Sequence, residues 1–209
     1  PGIIDVHSHL GVYPSPNAES HNDGNEMTNP ITAEVWAEHS VWPQDPGFNR
    51  AREGGVTTMQ ILPGSANLIG GRGVTLKNVP SESMQAMKFP DAPYGLKMAC
   101  GENPKSLYGS RSELPMTRMG NMAGYRQAFI EATEYKRAWD KYEADYAAGK
   151  NAAAPKRDLT LDTLKGVLEG EILIHNQCYK AEEMVMMIDL GKEFNYHSGT
   201  FHHAIEAYK

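Results

Sequence analysis

Short apolar, β-branched runs recur along the chain, each followed by a polar stretch and most then by a segment of helical period. The first run, Ile3, Ile4 and Val6 in "GIIDVHSHLG", predicts a strand buried on both faces. "VTTMQIL" (Val56 to Leu62), "GLKMAC" (Gly95 to Cys100) and "ILIHNQC" (Ile172 to Cys178, with a histidine at its far end) predict three more. "NYHSGTFHH" reads as a last strand-like stretch ending in His202 and His203, with a further helix starting after it. Between these lie helical patterns. "DPGFNRAREGG" has Asp45 as a cap and Gly54–Gly55 as a stop. From Met116 to Ala148, residues Tyr125, Phe129, Ala132, Tyr135, Trp139, Tyr142 and Tyr146 recur three and four apart, one face packed on a core. "DLTLDTLKGVLEGE" carries a cap at Asp158 or Thr160 and a stop at Gly170, and "KAEEMVMMIDLGKEF" turns Met184, Met187 and Ile188 inward.

The remaining segments read as loops. Tyr13 to Asn29 is polar and aperiodic; His21 within it is a minor site candidate, whereas His39 further on reads as a surface residue. "PGSANLIGGRG" is a glycine-rich connection without phosphate-loop spacing, "GENPKSLYG" a polar loop, and "AAGKNAAAPKRD" a linker. Strands alternating with helices predict an α/β protein with a parallel sheet. His7, His9, Lys97, His175 and His203 all fall at or near C-terminal strand ends, the edge that carries sites in such sheets. Side chains two apart on a strand share a face, so His7 and His9 project together, as a pair of core histidines or as ligands of a divalent metal. Their convergence with the other polar residues on one edge favours the metal. Lys97 inside an apolar strand is the anomaly; its bland reading is a strand end whose ammonium reaches water or a carboxylate.

Composition narrows the picture only slightly. With 209 residues, 40% hydrophobic and 22% charged, the chain fits an ordinary soluble domain. A net charge of −6 without a basic block argues against a nucleic-acid partner. No apolar run approaches the roughly 18 residues that span a bilayer, so no membrane partner is expected. Cys100 and Cys178 exclude a disulfide scaffold without fixing the compartment; cytoplasm is slightly favoured over periplasm. Pro1 stands directly before a strand and Lys209 inside a helix start, so a fragment of a longer protein is expected.

"PGIIDVHSH" resembles the first-strand signature of the metal-dependent amidohydrolase superfamily. "GGVTTMQILPGSANLIGGRG", "GLKMACGENPK" and "FHHAIEAYK" are similar to a subgroup related to imidazolonepropionases. The resemblance covers most of the chain and implies a (β/α)8 TIM barrel, here with about six of eight strands in one partial domain over residues 1–209. It implies His7, His9, His175 and His203 as metal ligands, with His202 as the alternative to His203 because the strand register is open. It also implies Lys97 as a carboxylated bridge between two ions. The cofactor so implied is one or two divalent ions, zinc first. The catalytic aspartate of the family would lie beyond Lys209, as would the last two strands, and the β-sandwich segments are absent. Gln177 stands where some relatives carry a second histidine.

Such a site hydrolyses an amide or cyclic amide C–N bond of a small molecule, because a metal acidifies water and polarises a carbonyl. Glu102, Tyr108 and Tyr179, with Asn103 and Lys105, are the candidate substrate contacts. A homo-oligomer is left open. Two rivals stand beside this reading: a catalytically silent metal-binding fragment, and a barrel hydrolase of another bond such as a phosphoester.

Overall fold

The computed structural model describes residues 2–209. Six strands form one sheet in sequence order: β1 (Ile3–Ser8), β2 (Val56–Ile61), β3 (Ile69–Lys77), β4 (Gly95–Ala99), β5 (Leu173–Cys178) and β6 (Thr200–His203). The helices are α1 (Pro46–Glu53), α2 (Met84–Met87), α3 (Glu102–Ser110), α4 (Arg118–Ala147), α5 (Leu159–Leu168) and α6 (Ala181–Phe194). The sheet curls strongly. Five steps of about 4.8 Å would hold β1 and β6 roughly 24 Å apart in a flat sheet, yet the His7 and His202 rings lie 4.5 Å apart. The architecture is therefore an α/β fold around a nearly closed, barrel-like sheet of six strands.

Local chemistry accounts for the helix ends. The Asp45 carboxylate caps α1 by accepting from the Gly47 amide, and Asp158 caps α5 by accepting from Leu161. One core cluster packs Leu96, Met98 and Ile174 of the sheet against Phe129, Leu164 and Met187 of α4 to α6. A second packs Phe48 of α1 and Met87 of α2 on Met59, Ile61 and Leu76.

Several expectations are corrected. The glycine-rich segment is not a loop, because most of it forms β3, which pairs antiparallel with both β2 and β4. Only seven residues, 62–68, separate β2 from β3, too few for the helical crossover a parallel return needs. "GENPKSLYG" is helix α3, with Pro104 in the first turn where no amide partner is lost. β1 is not buried on both faces: Ile3, Ile4 and Val6 are exposed, since this edge strand pairs only with β2. On α4 the aromatic stripe leaves the core after Tyr135; Trp139, Tyr142 and Tyr146 pack successively on one another. Ile188 is exposed while Met184 and Met187 are buried. "HAIEAYK" forms a turn rather than a helix start.

Gly71 is one residue whose lack of a side chain the fold requires. Its φ is +106°, and a Cβ there would stand 2.5 Å from the Val35 carbonyl oxygen. Gly71→Ala is expected to destabilise the chain by about 2–3 kcal/mol, seen as a lower denaturant midpoint. An unchanged midpoint would mean that the backbone relaxes freely here.

Candidate metal centre

The curl of the sheet brings side chains from distant strands onto one rim. His7 and His9 leave the end of β1 with their Nε2 atoms 3.2 Å apart. His9 Nδ1 lies 2.8 Å from the Leu62 carbonyl, which only accepts. The proton therefore sits on His9 Nδ1, and Nε2 keeps its lone pair. On β5, His175 lies third in the strand rather than at its far end, directly beside Lys97 in the β4 register. Its Nδ1 is 2.9 Å from His202 Nε2 on β6. His202 is buried and its ring also meets His7, whereas His203 is exposed with its ring 5.2 Å from His7 and 5.5 Å from Tyr179.

Lys97 lies beneath these rings, 0% exposed, donating one hydrogen bond of 2.9 Å to the Pro63 carbonyl. Among the described residues no carboxylate pairs with it. Burial pushes its ammonium down to about 7, so the free amine is available near neutrality. The rings respond in the same direction. Burial first, and the Lys97 charge second, hold His7 at about 3 and His175 at about 4. His202 is held at about 4 by burial, then by His175 and Lys97. Burial lowers His9 as well. Four neutral imidazoles therefore share this rim, the protonation state in which a ring nitrogen binds a cation.

Neutral imidazoles are donors of the kind that a divalent ion takes. Two ligands about 2.0–2.1 Å from a tetrahedral ion stand about 3.3 Å from each other, close to the 3.2 Å and 2.9 Å between the paired ring nitrogens. Among the described residues, however, no three His, Cys, Asp or Glu side chains are assembled around a single cation position. The rings hydrogen-bond in pairs instead. Nor does a carboxylate accept from any of these rings among the described residues.

Beside the rim opens a cavity of about 510 Å³ lined by His9, Tyr13, Asn103, Gln177, Tyr179 and His203, among others. Its polar wall is ordered: the Asn103 amide donates to Ser65 Oγ (2.7 Å) and to the Tyr179 hydroxyl (3.0 Å), which also accepts from Gln177 (3.0 Å). Of the candidate substrate contacts, Asn103 and Tyr179 face this cavity. Glu102 and Lys105 line a separate one of about 140 Å³ with Arg118 and Glu183. Tyr108 does not face it: the residue is fully buried and donates its hydroxyl to the Asn29 carbonyl at 2.8 Å, anchoring α3 to a loop. A polar-loop reading missed this because Tyr108 lies on the inner face of a helix. His21 and His39 stack on Trp42 and Trp36, away from the rim.

Tyr13 was missed as a wall residue, its ring 5.6 Å from that of His9; its place four residues after a paired histidine was the available signal. Cys100 and Cys178, at the ends of β4 and β5, are joined as a disulfide, their Cα atoms 5.2 Å apart. A larger cavity, about 610 Å³ between α4, α5 and residues 29–31, holds none of the histidines. His9 and His203 line the smaller one.

The described residues thus set a rim of imidazoles over a buried lysine in a curled α/β sheet. The comparisons narrow this further. No described family profile matches the chain. An amidohydrolase, tasK, from Hapsidospora irregularis is 35% identical over 99% of this chain and 22% of its own length. The crystal structure of an amidohydrolase from Thermotoga maritima superposes with a TM-score of 0.89 at 36% identity, covering 100% of this chain and 52% of that one. The chain is similar along its whole length to proteins of the amidohydrolase superfamily. It spans about a fifth of the first relative and about half of the second.

Proposed function

We propose that this chain is the metal-holding part of a (β/α)8 amidohydrolase that cleaves an amide or cyclic amide C–N bond in a small molecule. One observation carries the reading: neutral ring nitrogens from β1, β5 and β6 face one another across a curled sheet, above a lysine with no anionic partner. Structural histidines have no need of such an arrangement. Both relatives bear the name amidohydrolase.

His7, His9, His175 and His202 would hold the ion. His202 is chosen over His203 because its Nε2 faces His175 Nδ1. Zinc is the expected metal, since neutral imidazoles suit it. A divalent ion supplies the means to acidify water to a pKa of about 7 and to polarise a carbonyl.

The chain's own residues do the rest. Leu62 holds the His9 tautomer through Nδ1. Asn103 and Tyr179 present polar groups to a substrate in the cavity, which Tyr13 also lines. Lys97 is proposed to become a carbamate. Its neutral Nζ attacks carbon dioxide, an N–C bond forms, one proton leaves, and the product is an anion with two oxygens. That anion turns a stranded buried cation into a partner for cations.

A specific observation supports a second reading, that of a chain that holds metal without turnover. No carboxylate stands against the histidines among the described residues, so the general base expected for this chemistry is not in place. Zinc titration of the metal-stripped chain separates the readings when followed by amide and phosphoester substrate screens. Zinc binding that falls at least about 100-fold in His175→Ala, with amide turnover, is the expected result. Zinc bound without turnover supports the silent chain, phosphoester turnover alone the other hydrolase, and no zinc binding ends the proposal.

A further inference from the structure

One hydroxyl in the wall of the rim cavity has hydrogen bonds that run a single way. Tyr179 Oη accepts from Asn103 Nδ2 and from Gln177 Nε2, each at 3.0 Å. A hydroxyl oxygen has two lone pairs and one proton. Both lone pairs are taken by amide N–H groups, neither of which can accept a proton in return. Among the described residues nothing accepts from the Tyr179 O–H. Ser65 Oγ, 2.7 Å from the same Asn103 nitrogen, differs, because it receives one hydrogen bond and keeps a lone pair. Asn103, Gln177 and Ser65 all line the cavity of about 510 Å³ together with Tyr179. None of the three lines the cavity of about 140 Å³ that Tyr179 also borders, so its hydroxyl end belongs to the larger one. His9 and His203 line that same space, and the Tyr179 ring is 5.5 Å from the ring of His203.

We propose that the Tyr179 hydroxyl binds the carbonyl oxygen of the substrate, and that Asn103 and Gln177 are positioning residues that leave this hydroxyl only the part of a donor. The proposal deepens the amide-hydrolase reading above and rests on it. A carbonyl oxygen carries lone pairs and no proton, so an O–H fixed as a donor matches it. A hydroxyl free to turn would offer it a lone pair part of the time. The two amides fix the direction before any ligand arrives, so little reorganisation is needed on binding. The same oxygen gains negative charge when its carbon is attacked, and a donor set in advance holds it more strongly at that point. Gln177 acts from inside the fold, since its side chain is buried at the end of β5 two residues before Tyr179. Asn103 acts from the first turn of α3, so the hydroxyl is oriented from two separate elements.

A matched pair of probes tests this in the metal-free chain, where the outcome does not depend on zinc. The lactam 2-pyrrolidinone and its thione share one ring, but sulfur accepts a hydrogen bond much more weakly than oxygen. The ratio of their dissociation constants, from ligand-observed NMR titration, isolates the bond to oxygen because ring packing cancels. In Tyr179→Phe the preference for the lactam is expected to fall by about 3- to 10-fold. Gln177→Glu should give a similar fall with the tyrosine in place, because a carboxylate accepts the hydroxyl's proton and withdraws it from the ligand. A purely structural role for either residue would leave the ratio unmoved. The glutamate variant also covers the case in which the phenylalanine variant does not fold. A ratio that stays at the parent value in either variant, or a parent chain that binds neither probe, overturns the proposal. A chain that binds no zinc while the ratio still follows Tyr179 ends the metal reading and leaves the carbonyl contact standing.

Discussion

Lys97→Met is expected to make the metal-free chain more stable and the metal-loaded chain useless. Lys97 is fully buried with a single hydrogen bond, to Pro63 O at 2.9 Å. An ammonium removed from water without an anion is penalised by several kcal/mol. Methionine has nearly the same length and no charge. The substitution leaves the Pro63 carbonyl without a donor, which costs about 1–3 kcal/mol. The first effect exceeds the second, so a net gain of about 1–2 kcal/mol is expected in the denaturant midpoint. Zinc affinity should move the other way, by at least about 100-fold, since losing even a supporting partner costs 10- to 100-fold. With ¹³C-bicarbonate, the zinc-loaded parent should show a carbamate carbon that K97M lacks. A free amine in the zinc-loaded parent would remove the carbamate, and unchanged zinc affinity would remove Lys97 from the site altogether. Stability given up for a functional group is the usual trade at such positions.

The second large effect belongs to Asp45, which touches no histidine. Its carboxylate is 1% exposed and accepts from three backbone amides: Gly11 (2.8 Å), Gly47 (2.8 Å) and Ser15 (3.1 Å). One of these caps α1; the other two hold the loop that leaves His9. Hydrogen bonds to a charged group contribute about 1.5–3 kcal/mol each, and a cap about 1 kcal/mol. Asp45→Ala is therefore expected to lose about 4 kcal/mol of stability. Asp45→Asn, which keeps one acceptor and the cap, should lose less than half of that. Because Gly11 and Ser15 flank Tyr13, the alanine variant should also loosen the cavity wall and raise protease sensitivity within residues 11–24. An asparagine midpoint equal to the parent's would mean that the carboxylate serves only as a cap.

Much of this fold is legible along the chain. The caps at Asp45 and Asp158, strands β2, β4 and β5, and the inward methionines Met184 and Met187 follow from local rules of helix ends and apolar runs. Where local rules failed, distant parts of the chain decided. β3 looks like a loop because it is rich in glycine. It becomes a strand because β2 and β4 supply hydrogen bonds on both sides, and because Gly71 and Gly73 admit Val35 and Gln60. β1 looks buried because it is apolar, but it lies at the sheet edge. "GENPKSLYG" looks polar because the one face it buries shows few apolar residues, chiefly Pro104 and Tyr108.

The site divides in the same way. Its chemical members were set by residue type alone: paired imidazoles on one strand, a lysine among apolar neighbours, and histidines near later strand ends. Which sixth-strand histidine faces inward was not, because a shift of one residue reverses every side chain of a strand, and only pairing with β5 turned His202 toward His175. The curl of the sheet, which carries β1 to β6, is what brings His7 against His202. Sequence determines which chemistry is available; closure of the sheet determines which atoms meet, because burial and hydrogen-bond direction are properties of neighbours far apart in the chain.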